Sequence, residues 1–126
     1  MKFMIQAGAI LGALGVAIGA FGAHGLRAML TASGRFDTFE TAVRYQFYHA
    51  LAMILVGILM QRAGQDAVRW LTWSGNAFAI GVIIFSGSLY AICFTGITKF
   101  GATAPIGGLA FIAGWLLLFY ASTKMV

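Results

Sequence analysis

The side chains of this chain that could bind a ligand or exchange a proton are concentrated in one short segment, residues 40–49. In a helix, steps of 100° per residue place the polar side chains of this segment on one broad face and the apolar ones on the other. Glu40 and Arg44 are four residues apart, as are Tyr45 and His49, so each pair can interact along the helix. With one histidine from the preceding segment, the candidate polar cluster comprises His24, Glu40, Arg44, Tyr45, Tyr48 and His49.

Three kinds of role fit this cluster. The first is structural: hydrogen bonds among these side chains lock neighbouring helices together in a dry environment. The second is a pocket for a lipid headgroup or a small amphiphile, with Arg44 and Arg27 as anion donors and the tyrosines as walls. The third is a proton or ion path through His24 and His49, because the pKa of histidine lies near physiological pH.

Other chemistry has little support in the sequence. Two histidines without a cysteine or carboxylate cluster are weak evidence for haem or a metal, and neither a G-x-S-x-G elbow nor a nucleotide-binding loop occurs. The hydroxyl side chains of residues 86–88 are more simply explained by helix packing. We therefore predict no catalytic residue, no metal site and no cofactor, and we interpret the chain as a non-enzymatic protein.

Four long apolar segments must position the cluster, near residues 3–23, 45–60, 70–94 and 104–120. A membrane-spanning helix needs about 20 mostly apolar residues. Hydrophobic residues make up 61% of the chain, charged residues 9%, and the mean hydropathy is +0.93. We therefore predict an all-α integral membrane bundle of four transmembrane helices with antiparallel neighbours, forming a single domain over residues 1–126.

The first segment carries a stripe of glycines along one helical face. The stripe comprises Gly8, Gly12, Gly15, Gly19 and Gly22. Because the spacing alternates between four and three residues, all five glycines fall on one side of the helix, where small residues let a second helix approach closely. We predict a tight helix–helix contact there, either within the chain or with a second copy.

The connections between the segments also carry signals. The apolar spacing of Leu26, Met29 and Leu30 predicts a short interfacial helix between the first two spans, ending near residues 33–34. Asp37, three residues before Glu40, is typical of an N-cap for the second long helix. The polar stretch 61–69 is expected to connect the second and third spans, and the next connection, 95–103, precedes a fourth helix that has a proline in its first turn.

Antiparallel topology predicts which polar residues share one end of the bundle. These are His24, Arg44, Tyr45, His49, Tyr90, Cys93, Lys99 and Thr103. At the other end, Asn76 is expected to be buried and to bond to the first or the fourth helix. Because most of the polar residues collect at the histidine-bearing end, we take that end as the candidate site.

The net charge of +5 does not indicate nucleic-acid binding, because the basic residues are scattered at the ends of the apolar segments. Their count is four at each end of the bundle. Discounting Arg44, which can pair with Glu40, we predict that both termini are cytoplasmic. We also expect the first segment to be retained as a helix rather than cleaved as a signal peptide.

Several strings in the chain resemble one known family. They are FGAHGL and FETAVRYQFYHA within residues 21–50, FSGSLY at 85–90 and TAPIGGLAFIAGW at 103–115. They are similar to the small four-span membrane proteins catalogued as domain of unknown function 423, which have bacterial members and a eukaryotic transmembrane relative. The resemblance implies a multi-pass protein of the bacterial cytoplasmic membrane, and it implies no activity or functional residue.

From these observations, the leading functional hypothesis is a membrane component that self-associates or serves a larger membrane complex, with membrane lipids as its other partners. The glycine stripe of the first helix motivates it. The alternative is a binder or carrier of a lipid or small amphiphile through the polar cluster. A proton-coupled transporter is third, and no acidic residue lies in the middle of a span to support it.

Overall fold

Helices account for nearly all of the structure, a computed structural model that describes residues 2–125. The helices are α1 (Lys2–Ala23), α2 (Arg27–Ala32), α3 (Phe36–Met60), α4 (Gln65–Gly81), α5 (Gly87–Thr95) and α6 (Ala104–Ser122). A π-helical turn, Val82–Ser86, joins α4 and α5 into one long helix, and a 3-10 turn, Thr98–Ala102, precedes α6. Four helical segments are long and apolar enough to cross a membrane, which confirms the predicted all-α bundle of four spans.

The short helix between the first two spans is present, but the predicted N-cap of the next helix is wrong. Gly34 ends α2 in the left-handed conformation, with φ of 70°, and the Arg35 amide bonds back to the Leu30 carbonyl. The chain reverses so quickly that α3 already begins at Phe36, with Arg35 as its N-cap. Asp37 therefore lies inside the first turn, where its carboxylate favours the helix dipole without capping it.

The boundary of the third span also differs from the expectation. The polar stretch 61–69 is only partly a connection, because α4 begins at Gln65. Gly64 is extended and Asp66 lies in the first helical turn, so the helix starts before its apolar part does. Pro105 lies in the first turn of α6, as predicted.

The glycine stripe of α1 faces α3 along its whole length. A methyl group on Gly8 would lie 2.7 Å from the Ala50 carbonyl oxygen, whereas one on Gly12 would meet nothing closer than Phe47 at 3.9 Å. Gly15 and Gly19 face Gln46 and Val43, and Gly22 receives the ring of Phe39. Because the two helices run in opposite directions, this stripe is covered inside the chain.

A second tight contact joins α4 and the π turn to α6. Aromatic rings fill the space left by glycines on the facing helix: Phe78 packs on Gly114, and Phe111 packs on Gly81. Ser74 adds a hydrogen bond of 2.7 Å from its hydroxyl to the Gly114 carbonyl. The bundle therefore consists of two close pairs, α1 with α3 and α4 with α6, which meet where α3 packs on the third span.

Candidate functional site

A groove opens between α3 and α6, where the two close pairs of helices lie side by side. Its volume is about 820 Å³, within the range of small-molecule sites in proteins. Its walls are largely aromatic and come from α3, the π turn and α6. The groove is lined by Tyr45, Tyr48, His49, Phe85, Pro105, Gly108, Leu109, Phe111, Ile112 and Trp115.

His49 forms the inner wall of the groove and is 4% exposed. Its ring stacks on Phe111, with ring centroids 3.6 Å apart and planes within 9° of parallel. Nδ1 lies 2.7 Å from the Tyr45 carbonyl oxygen, and Nε2 lies 3.1 Å from the indole nitrogen of Trp115. A carbonyl oxygen only accepts and an indole N–H only donates, so the imidazole is neutral, with its proton on Nδ1.

Tyr45 and Tyr48 form the outer wall on α3. They are 40% and 53% exposed, and their rings lie 5.8 Å apart. The Tyr45 ring also packs against Phe85 at 4.9 Å. Within residues 2–125 no hydrogen bond engages either phenol hydroxyl. The groove thus offers two hydroxyl groups that can both donate and accept.

The π turn supplies the floor of the groove. Phe85 lies in the turn, and its backbone packs directly on Gly107 of α6. The next residue, Ser86, is buried and donates a 2.7 Å hydrogen bond to the Ala42 carbonyl, which fixes the turn against α3. A π turn inside an α-helix is a frequent feature of functional sites.

The charged members of the predicted cluster lie outside the groove. Arg44 and Glu40 interact as predicted, at 3.5 Å, on an exposed part of α3. Arg27, the other expected anion donor, lies with its guanidinium 5.1 Å from the centre of the Phe36 ring. Neither arginine lines the groove, and among the described residues its wall contains no Lys or Arg.

The two histidines are not brought together. His24 follows the last turn of α1, is exposed, and borders a separate shallow depression with Phe21 and Gly25. His49 lies near the middle of α3, at the level of the Gly8–Gly15 portion of α1. At a rise of about 1.5 Å per residue this level is roughly 14–24 Å from His24 along α1. The expected cluster is therefore divided. The expectation that both histidines occupy one end of the bundle is wrong, because Phe39 of α3 is level with Gly22 at the end of α1, and His49 follows about three helical turns later.

Two important polar residues were absent from the predicted cluster. Gln46 is buried and connects three helices: its amide nitrogen donates to the Leu11 carbonyl at 2.8 Å, and its oxygen accepts from the Tyr90 hydroxyl at 2.6 Å. Trp115 bonds to His49 from α6. Its signal in the sequence is a tryptophan in the middle of an apolar helix, far from the interface where this residue is usually enriched.

The prediction for Asn76 is wrong. Asn76 is exposed on α4, and no hydrogen bond engages its side chain within the described part of the chain. Packing explains the difference: Ser74 and Phe78, on the neighbouring face of α4, make the contacts to α6, which turns Asn76 outward. Gln6 of α1 is likewise exposed, in a shallow depression that Ala79 and Ile83 of the third span also border.

The buried serines and the potential metal ligands of the chain show no arrangement for other chemistry within residues 2–125. Ser86 bonds to the Ala42 carbonyl, and Ser88 bonds to the Ile84 carbonyl and to the Thr103 hydroxyl, so both serines connect helices. Among residues 2–125, no three histidine, cysteine or acidic side chains are placed to share a metal ion. The groove is thus the concave site in which aromatic and polar side chains converge.

Comparison with known proteins gives the family. The family described as "Protein of unknown function (DUF423)" matches residues 18–108. A UPF0382 membrane protein of Staphylococcus haemolyticus is 43% identical over 126 residues, covering 100% of this chain and 99% of that protein. The UPF0382 membrane protein YwdK of Bacillus subtilis is 38% identical over 98% of both chains.

A further relative is the UPF0382 inner membrane protein YgdD of Escherichia coli, which is 35% identical over 98% of this chain and 92% of its own. No solved structure matches the chain. With four spans in the structure and membrane proteins as relatives, the chain is a multi-pass protein of the bacterial cytoplasmic membrane. The family resemblance seen in the sequence is confirmed, and the chain belongs to the DUF423 family of membrane proteins, whose activity is not established.

Proposed function

We propose that this protein is a non-enzymatic binder of a membrane-dissolved amphiphile, which occupies the groove between α3 and α6. The observation that carries the proposal is that Tyr45 and Tyr48 line this groove and that neither phenol hydroxyl has a hydrogen-bond partner within residues 2–125. Hydrocarbon offers no water to such groups, so they are stabilised by a bound molecule that hydrogen-bonds with them.

A purely structural role accounts for only part of this site. His49 and Gln46 have their hydrogen bonds satisfied inside the bundle, as a locking network requires. The tyrosines, in contrast, contribute no side-chain hydrogen bond to that network within residues 2–125. The groove also presents a largely aromatic wall, against which the apolar body of an amphiphile packs.

The hydrogen bonds of His49 also argue against a proton path. Protonation of Nε2 would break the bond from Trp115, and loss of the Nδ1 proton would break the bond to the Tyr45 carbonyl. His24 lies too far away to relay a proton to it directly. An amphiphile binder therefore accounts for more of the geometry than a proton-coupled transporter does.

Gly108 provides a direct test of binding. It lines the groove, and a methyl group placed on it would meet no atom within 4 Å, so Gly108→Leu should obstruct the groove without disturbing the fold. Gly87 is the matched control, because it also has open space around it and lies outside the groove, at the start of α5. Native mass spectrometry of protein released from vesicles of bacterial lipid extract should detect a retained amphiphile on wild type and on Gly87→Leu.

The same experiment on Gly108→Leu should show at least a tenfold smaller retained fraction. A wild-type protein that emerges without any retained molecule would contradict the proposal. So would equal retention by Gly108→Leu and wild type. Circular dichroism of the three proteins checks that each is folded.

Self-association is a second candidate, favoured by Gln6 and Asn76 rather than by the glycine stripe. The stripe is covered by α3, whereas these two carboxamides are exposed on α1 and α4. Met4 packs on Gly75, so the carboxamides lie at similar depth. Each carboxamide both donates and accepts hydrogen bonds, so a second copy presents a complementary group at the same level.

Crosslinking in vesicles tests this second candidate. Wild type should yield dimers that the double variant Gln6→Leu and Asn76→Leu loses, while Thr72→Val, which removes a hydroxyl bonded within its own helix, should retain them. Undiminished dimers in the double variant, or none in wild type, would remove this candidate.

A further inference from the structure

We propose that the ligand of the groove belongs to one chemical class: an uncharged, flat ring that carries carbonyl oxygens and an apolar tail, the chemistry of the isoprenoid quinones. This inference rests on the proposed function and makes it more specific. It specifies which groups recognise the head of the ligand. The volume of the groove alone does not specify them.

Charge excludes the commonest amphiphiles from the inner part of the groove. The ten lining residues include no Lys, Arg, Asp or Glu. Arg44, the nearest candidate for a phosphate, pairs with Glu40 on the exposed part of α3 and does not line the groove. Tyr48 and His49 lie near the middle of α3, where an unpaired phosphate or carboxylate would be strongly disfavoured.

The available hydrogen-bonding groups favour a carbonyl compound. The indole N–H of Trp115 is already donated to His49, and the Nδ1 proton of His49 is donated to the Tyr45 carbonyl. The donors that remain in the lining are therefore the phenol hydroxyls of Tyr45 and Tyr48. A saturated acyl chain would leave both unsatisfied, whereas two carbonyl oxygens on one ring would accept from them.

The walls favour a planar head. Tyr45, Phe85 and Phe111 have their ring centroids 4.9–6.1 Å from one another, and His49 is stacked on Phe111 behind them. Aromatic faces stack on flat rings with an additional attraction beyond burial. Leu109 and Ile112, on the α6 side of the groove, provide an aliphatic surface for the start of a tail.

Trp115 serves as the reporter for this class of ligand. In a Trp70→Phe, Trp73→Phe background it is the one remaining tryptophan of the three in the chain. Titration of vesicles with a benzoquinone that bears a decyl chain should quench it saturably. Tyr45→Phe combined with Tyr48→Phe should weaken the apparent affinity about tenfold or more, because two hydrogen bonds are lost. Arg44→Gln should leave it unchanged.

Decyl phosphate as a second probe and Gly108→Leu as a second variant distinguish a wrong ligand class from a wrong binding site. If Gly108→Leu abolishes saturable quenching and the tyrosine double variant binds as wild type does, the ligand class is wrong and the groove proposal stands. If a decyl phosphate displaces the quinone probe, and Arg44→Gln prevents that displacement, a charged headgroup is the ligand and the carbonyl class is overturned. If the quinone probe does not quench saturably, the class is overturned, and retention of another amphiphile decides the groove proposal.

Discussion

Helix α3 has two different neighbours, and the contrast between them shows what closes or opens a contact between helices. Towards α1 it meets glycines, so the backbones approach until a methyl group on Gly8 would lie only 2.7 Å from the Ala50 carbonyl. Towards α6 it presents Tyr45, Tyr48 and His49, which face further aromatic residues across the groove. Small residues let helices pack closely in lipid, and bulky rings hold them apart. The first contact is close along its whole length, and the second leaves an open groove.

The two sides of α3 also differ in how their polar groups are used. On the closed side, both ends of the Gln46 carboxamide are bonded, one to the Leu11 carbonyl of α1 and the other to the Tyr90 hydroxyl of α5. On the α6 side, both ring nitrogens of His49 are bonded, whereas the hydroxyls of Tyr45 and Tyr48 have no hydrogen-bond partner within residues 2–125. The closed side thus resembles a protein core, while the open side keeps unused hydrogen-bonding capacity.

The largest effect is expected where the backbones of α1 and α3 approach each other most closely, at Gly8. Gly8→Ala should lower the free energy of unfolding by about 2–3 kcal/mol, because the added methyl meets backbone that cannot move alone. Gly12→Ala is the control, since its methyl would meet only Phe47 at 3.9 Å, and it should change stability by less than about 0.5 kcal/mol. Equilibrium unfolding in mixed detergent micelles, followed by circular dichroism, measures both. Equal effects would show that the closeness of α1 and α3 does not depend on Gly8.

An intermediate effect is expected for the polar bond on the closed side. Gln46→Leu removes hydrogen bonds to the Leu11 carbonyl and from the Tyr90 hydroxyl, and it should cost about 1–2 kcal/mol. Tyr90→Phe removes one of these bonds and should cost less. A double-mutant cycle between the two substitutions should show coupling, and additive losses would mean that the Gln46–Tyr90 bond contributes nothing.

The smallest effect on stability is expected on the open side. Trp115→Phe keeps a ring but leaves His49 Nε2 without its donor, and it should cost about 0.5–1 kcal/mol. Trp73→Phe, at an exposed position on α4, provides a comparison with no expected loss. If Trp115→Phe proved as damaging as Gly8→Ala, the groove would be part of the stabilising core, and the contrast between the two sides of α3 would disappear.

Much of the fold follows from the sequence because the membrane imposes strong rules on it. Apolar length predicts the four spans, and the spacing of residues 8–22 predicts a close contact before its partner is known. The Glu40–Arg44 ion pair is predicted from the helical period alone, and the structure contains it. These features depend on the order of residues within one helix.

The site was harder to predict because it depends on the relation between helices. Trp115 lies 66 positions after His49, and no local pattern indicates that they bond. The sequence predicts Asn76 inside the bundle, but Ser74 and Phe78 of the same helix make the contacts with α6, and Asn76 faces outward. The sequence predicts His24 and His49 at one end, but Phe39 is the residue of α3 that is level with the end of α1, and His49 lies about three helical turns further into the bundle. The depth of a side chain in the bundle and the rotation of its helix depend on packing between helices. The residue pattern within one helix does not indicate that packing.

The π turn at Val82–Ser86 has a consequence for how this chain tolerates change in length. One residue inserted into a regular α-helix would rotate everything beyond it by about 100°, whereas a π turn accommodates one extra residue within the turn itself. The span can therefore direct Ser74 of α4 to α6 and Tyr90 of α5 to Gln46 on either side of the turn. Loss of a single codon within Val82–Ser86 would restore a regular α-helix and leave Tyr90 facing Gln46, so this turn is the place in the third span where a change in length is best tolerated.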